Sequence, residues 1–424
     1  MQITHSVVKF SPLSGYITGM EIARLMRPQL EESLSDTPVV LLHGARQVGK
    51  TTLAKSFPDR SYLTLDNATT LAAARSDPSG FIAGLPAQSV IDEIQLAPEL
   101  LPAIKERVDD NRRAGAFLLT GSANVLLLPK ASESLAGRME IIALEPLAQT
   151  EIEGTNSQLI DRAFRGQAAL HSGAITKLEV IQRMLRGGYP EPRTRPDKRR
   201  KAWFDAYLTT ILTRDVRDIA NIEGIAQLPR LLGLLGARSA GLLNTADLAN
   251  NANIPYSSLQ RYLALLQATF LVRLVPAWSG NLSNRLVKSP KVYLLDTALI
   301  ATLLGADAAQ LEVNPNLYGS LLETFVMGEL QRLASWSEAR PKAFHFRTSN
   351  QQEVDVVLER ANGDLLGIEV KASASVSGSD FKGLKTLQLE SGQRFKHGMV
   401  LYSGQAVIPF GEHLSAVPLT ALWT

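Results

Sequence analysis

Over the first third of the chain, short apolar runs alternate with stretches of helical period. A helical pattern spans residues 20–33, and the apolar run 39–42 follows between Pro38 and Gly44. This predicts a helix and then a buried strand. Further runs at 62–65, 89–91, 117–120 and 141–144, separated by helical stretches, predict a parallel α/β sheet. Residues 154–178 are polar and rich in Gly, Ser and Gln, and 187–201 interrupt helix with Gly-Gly and Pro-x-Pro before a basic cluster. From about 203 to 269 the pattern is almost wholly helical. A β-rich region then runs to the end, broken by an amphipathic helix at 320–334. The expected division is 20–153, 154–222, 223–283 and 284–424. Residues 1–19 show no clear period, and Met20 is a second candidate start.

The chain has 424 residues, 45% hydrophobic and 20% charged, with ordinary Pro and Gly usage. That excludes disordered, collagenous and coiled-coil classes. There is no cysteine, so disulfides, thiol nucleophiles and Cys-ligated metals are excluded, and any metal takes oxygen or His ligands. No uncharged apolar run approaches the roughly 18–20 residues needed to span a bilayer, and no signal-peptide pattern opens the chain. The expectation is a soluble, cytoplasmic protein without a membrane role. A net charge of +3 is compatible with nucleic acid without arguing for it.

Gly44-Ala45-Arg46-Gln47-Val48-Gly49-Lys50-Thr51 fits GxxxxGK[ST], after a strand and before a helix that opens with Thr51 and Thr52. Such a loop curls its N–H groups around phosphate, and the following helix start favours negative charge. Lys50 would reach the β- and γ-phosphates, Thr51 would ligate Mg²⁺, and Thr52 would meet the α-phosphate. The strand at 89–91 ends in Asp92 and Glu93. Asp92 would join the Mg²⁺ shell, and Glu93 would orient and deprotonate the attacking water. The expected cofactors are therefore ATP and Mg²⁺. Thr120 or Ser122, ending another strand, would report the γ-phosphate, although a plain turn explains them too. Arg138 is a candidate arginine finger toward a neighbouring subunit, or else a surface salt bridge.

The ordered segments GARQVGKTT, VIDEIQ, LLTGSAN, SLAGRMEIIALEPL and RGGYPEP resemble an uncharacterised prokaryotic family of AAA-type (AAA+) ATPases, over nearly the whole chain. The resemblance implies an ATPase core joined to a C-terminal domain with restriction-endonuclease-like features. His43 departs from the small or hydroxyl residue expected there, without harm to phosphate contacts made by backbone.

Arg193, Arg195, Lys198, Arg199, Arg200 and Lys201 form a basic cluster suited to phosphates, or to a solvated helix start. Arg214 and Arg217 are further candidate sensor arginines. The stretch 245–255 and the one from Tyr256 read as a capped short helix, a tight turn and a second capped helix, and with a strand from Phe270 they form a winged-helix pattern. Ser257, Ser258, Gln260 and Arg261 stand near the start of its recognition helix. In the last region, an Asn-Gly turn at 362–363 sets Asp355 opposite Glu369 to within about one residue, and Lys371 shares Glu369's face by the period of two. With Glu323 on the preceding helix, the set Glu323, Asp355, Glu369, Lys371 resembles the PD-(D/E)xK nuclease core. There Asp355 and Glu369 would hold Mg²⁺ and Lys371 would position the nucleophile. Val354 stands where that signature has proline.

The expected fold is thus a P-loop AAA+ α/β core, a helical lid, a winged-helix segment and a restriction-endonuclease-like α/β domain. The expected function is Mg²⁺-dependent ATP hydrolysis directed at DNA by a homo-oligomer, a ring being one form of it, that binds, remodels or cuts it. The alternative is a nucleotide-switched regulator with an inactive nuclease-like domain that binds a protein partner. Lys288, Lys291 and Asp296 receive no chemical reading.

Overall fold

The computed structural model describes residues 22–122, 135–167, 173–216 and 225–424. Met20, the Arg214 side chain and Arg217 lie outside that description. The first helix is Arg27–Asp36. It starts later than the apolar period implies because Pro28, with its φ fixed and no N–H to donate, suits a first turn.

β1 (Val39–His43), β2 (Ser61–Thr64), β3 (Ser89–Asp92), β4 (Phe117–Gly121) and β5 (Met139–Ala143) form a parallel sheet in the order β2-β3-β4-β1-β5. The strands are short and apolar because both faces are covered. Val40, Leu42, Val90, Leu118 and Ile142 enter one buried cluster, while Val39, Leu41, Ile91, Phe117 and Leu119 enter another. This is the period of two in a doubly covered sheet. In register, Leu42 pairs with Thr120 and His43 with Gly121. The segments after β1, β3 and β4 therefore open at the same sheet edge, where ligands of open α/β sheets sit.

The first apolar cluster continues through the helices Lys177–Arg186, Asp197–Thr210, Leu228–Ala237 and Tyr256–Ala268 into the long helix Pro315–Trp336. Thr245–Ala252 and Tyr256–Ala268 are followed by β6 (Val272–Val275), which pairs antiparallel with β7 (Lys291–Leu294), Val275 opposite Lys291. Phe270 has φ 59° and belongs to the turn before β6. The boundary expected at 283/284 falls between two paired strands, so the helical unit closes only with β7.

After the long helix, β8 (Lys342–Arg347), β9 (Glu353–Glu359) and β10 (Leu365–Lys371) form an antiparallel meander. The helix Lys382–Ser391 then crosses to β11 (Phe395–Tyr402), parallel to β10. β12 (Ile408–Pro409) and β13 (Leu414–Pro418) complete the order β12-β13-β11-β10-β9-β8. A third buried cluster, with Trp278, Val357, Phe381, Leu384 and Val400, covers one side of this sheet. The other side, through Val356, Leu358 and Ile368, joins the large cluster shared with the five-stranded parallel sheet.

Candidate functional site

The loop after β1 is shaped by backbone that a side chain would obstruct. Gly44 has φ +149°, and a Cβ there would lie 2.3 Å from the Leu144 carbonyl oxygen; Gly49 has φ +99°. Lys50 is buried, and its Nζ donates to the carbonyls of Gly44 at 3.0 Å and Ala45 at 2.8 Å. Thr51 Oγ1 donates to Asp92 Oδ1 at 3.0 Å and Oδ2 at 3.1 Å. Asp92 also accepts from Tyr62 Oη at 2.8 Å and from the Thr120 hydroxyl. Three hydroxyls from three elements thus fix one buried carboxylate, and burial with Asp92 nearby raises the Tyr62 phenol above its ordinary value.

Glu93 has φ 62°, a left-handed turn that ends the strand. Its N–H donates to Thr120 Oγ1 at 3.1 Å, and its carboxylate accepts from Ser122 Oγ at 3.1 Å and from the Gln95 amide. Gln95 also donates to Ser122 Oγ at 3.0 Å. Beneath the loop, Arg24 donates to the Val48 and Glu145 carbonyls, both at 2.7 Å, and pairs at 3.0 Å with the fully buried Glu151. A cavity of about 880 Å³ runs along Arg46–Leu53, Glu93 and Gln95, and is also lined by Ile22, Ala23, Pro190 and Thr194. His43, beside this loop, is held neutral by burial, its pKa lowered to about 4.

A second cluster lies in the C-terminal sheet. Ile368 pairs with Val356, and continuing that register sets Glu369 opposite Asp355. Glu323 joins them from the long helix. The lysine among them, however, is Lys291 of β7. Its Nζ stands 2.7 Å from Glu323 Oε1 and 3.0 Å from Asp355 Oδ1. Tyr293 Oη donates to Glu323 Oε1 at 2.7 Å, and the Val370 N–H donates to Asp355 Oδ2 at 3.0 Å. Burial, then repulsion by Asp355, pushes Glu323 up to about 7, and the same causes raise Glu369 well above the carboxylate range. Asp355 moves the other way, held low by Lys291 despite its burial. The expectation for Lys371 is corrected. Its Nζ is held 2.5 Å from Asp380 Oδ1, on an exposed side chain, because Asp380 also anchors the Ser377 turn that follows β10. At the pair expected to hold Mg²⁺, Asp355 and Glu369, the Lys291 ammonium stands between Asp355 and Glu323. Among the described residues, no group of three or more His, Asp or Glu is arranged to hold a metal ion.

A family model described as an AAA domain matches residues 36–153. Domains of unknown function match 177–310 (DUF8612) and 318–422 (DUF4143). Two uncharacterized proteins, one of Mycobacterium tuberculosis and one of Mycobacterium bovis, are each 33% identical over 405 residues, covering 93% of this chain and 83% of the relative. The chain belongs to their family of AAA-type ATPases. A signal transduction ATPase with numerous domains and a tetratricopeptide repeat sensor, from Pyrococcus horikoshii, matches at 11% identity with a TM-score of 0.21. It covers 77% of this chain and 48% of the other, a likeness too slight to carry any argument.

In this AAA-type ATPase the remaining expected residues divide by place. Thr52 lines the cavity along the loop and Ser122 holds Glu93. Arg138 is not brought to Lys50: it precedes β5 at the opposite sheet edge, where its backbone pairs with Val39 and its guanidinium with Asp109, 2.9 Å for Nη2–Oδ2. In the basic cluster Arg193 bonds the Gly187 carbonyl, Arg195 pairs with Glu191 and Arg200 with Asp197. Lys198, Arg199 and Lys201 remain exposed. On Tyr256–Ala268, Ser257, Gln260 and Arg261 are exposed and Ser258 half-buried. No helix among the described residues is long and apolar enough to cross a membrane. Sequence reading missed Arg24, Tyr62, Gln95 and Lys291. Only Gln95, inside VIDEIQ, had a local signal.

Proposed function

We propose that this chain is a Mg²⁺-dependent ATPase acting on DNA, which it binds or remodels from a homo-oligomeric, ring-like assembly. The observation that carries hydrolysis is the Glu93 carboxylate, fixed by Ser122 and Gln95 beside the Thr51–Asp92 pair. The donors there, a hydroxyl and a carboxylate within 3.1 Å of each other, fit Mg²⁺, which takes hard oxygen ligands. When bound, Mg²⁺ neutralises charge developing on the phosphoryl oxygens. Lys50 turns from its loop carbonyls to the β- and γ-phosphate oxygens. The loop N–H groups hold the same phosphates in place. Glu93 orients a water toward the γ-phosphorus and takes its proton as the new P–O bond forms and the bond to the β,γ-bridging oxygen breaks, so that ADP leaves with its charge on the β-phosphate and inorganic phosphate is released. Ser122 and Gln95 keep that carboxylate aimed.

Action on DNA is supported by the exposed Lys198, Arg199 and Lys201 and by the polar start of Tyr256–Ala268, at the position of a recognition helix. We divide the chain into an ATPase core at 20–153, a connection and lid at 154–222, a winged-helix unit from 223 that closes with β7, and a nuclease-like unit after it. That last assignment is supported by the antiparallel meander followed by a crossover helix and a parallel strand. The test is ATP hydrolysis with single-stranded, duplex and four-way-junction DNA. One form should raise turnover, with an affinity that falls steeply with salt. Slow hydrolysis indifferent to every DNA would instead support a nucleotide-switched regulator with a protein partner. The lysine within the carboxylate cluster favours that second reading.

A further inference from the structure

Three acidic side chains from three elements, the long helix, β9 and β10, converge where a PD-(D/E)xK site would hold a divalent cation, and the structure puts a different cation among them. Lys291 Nζ bridges Glu323 and Asp355 at 2.7 and 3.0 Å from a side chain only 7% exposed. It enters from β7, a strand of the helical unit, and not from the meander that carries Asp355 and Glu369. Lys371, the lysine that the nuclease pattern would use, is turned out to Asp380. Tyr293, two residues after Lys291 on the same face of β7, caps Glu323 from the same side. A divalent ion at the Glu323–Asp355 bridge would have to displace an ammonium already making both contacts. Two cations a few ångströms apart in a half-desolvated site repel strongly.

We propose that the Lys291 ammonium is the resident cation of this cluster. It stands in the metal's place, makes the C-terminal unit a module that does not cleave phosphodiesters, and pins the β6–β7 hairpin to the C-terminal sheet. The inference rests on the nuclease-like reading of that unit. Breaking the bridge would leave two carboxylates and a carboxyl facing one another, a set of oxygens that suits a hard divalent ion.

The probe is Mn²⁺, titrated without nucleotide and followed by electron paramagnetic resonance, on the full chain and on D355N, K291M, K291Q and K291M/D355N. Thermal unfolding establishes which variants are folded, and K291Q serves if K291M is not. The expected result is that D355N leaves wild-type Mn²⁺ binding unchanged, while the folded Lys291 variant gains one Mn²⁺ per chain that D355N then removes. Wild-type protein should also leave supercoiled DNA intact in Mg²⁺. A wild-type Mn²⁺ site lost in D355N, or Mg²⁺-dependent nicking lost in D355N, overturns the proposal and leaves the nuclease-like reading standing. No Mn²⁺ gained by a folded Lys291 variant overturns the proposal together with that reading.

Discussion

Ser122 Oγ stands 3.1 Å from Glu93 Oε2, joining the end of β4 to the residue that follows β3. The contact exists because the two strands are neighbours in the sheet, and Gln95 closes it into a triangle. Removing the hydroxyl should loosen the aim of Glu93 without touching the phosphate loop. Ser122→Ala is expected to lower kcat about tenfold, the worth of one hydrogen bond of ~1.4 kcal/mol, with ATP affinity unchanged. Steady-state kinetics with a separate nucleotide-binding titration would check this, and a loss of affinity at constant kcat would refute it.

Arg24 supports the loop from below through two carbonyls and the buried Glu151. Arg24→Ala leaves that carboxylate buried without its cationic partner, still accepting from the Leu25 and Ala148 N–H groups. A cost of about 3–5 kcal/mol in unfolding free energy is expected, with weaker ATP binding. Arg24→Lys keeps a charge but not the three-way fork, so it should recover only part of both losses.

His43, His345 and His397 are each lowered to about 4, burial being the first cause. Unfolded, they titrate near 6.5, so between pH 6.5 and 4 the unfolded chain binds more protons and stability falls as pH falls. Each contributes no more than about 3 kcal/mol. Glu323, raised to about 7, acts the other way: the folded state gains its proton first, and stability rises on acidification from pH 7 toward 4.5. His397→Asn should therefore make the loss of stability from pH 7 to 5 shallower, as read by urea unfolding. An unchanged slope would mean that His397 is not held neutral.

Arg138 and Asp109 form an exposed pair, and solvent and salt screen such pairs so that they add little to stability. Arg138→Ala should leave the unfolding midpoint close to that of wild type and turnover within about twofold. A collapse of turnover that wild-type subunits rescue on mixing would instead establish the neighbouring-subunit role.

What the sequence made legible was local. The five strands of the ATPase sheet fall within one or two residues of their apolar runs, because buried parallel strands have to be continuous and short. The Asn-Gly turn brought Asp355 opposite Glu369 because a hairpin fixes register through its turn. Lys291 was illegible because it belongs to a strand that reaches the cluster only after β6–β7 pairing, and nothing in its neighbours marks that. Lys371 misled because the period of two fixes the face a side chain leaves, not the partner that Asp380 offers at the strand's end. Arg24 and Tyr62 act across more than twenty intervening residues, beyond any periodicity.

The central claim is that this chain hydrolyses ATP with Glu93 as the base. Glu93→Gln keeps the size and the Ser122 contact while removing the proton acceptor. The expected result is ATP bound as tightly as in wild type with turnover lowered by about 10²–10⁴. Wild-type turnover in Glu93→Gln, with Lys50→Ala inactive beside it, would contradict the account.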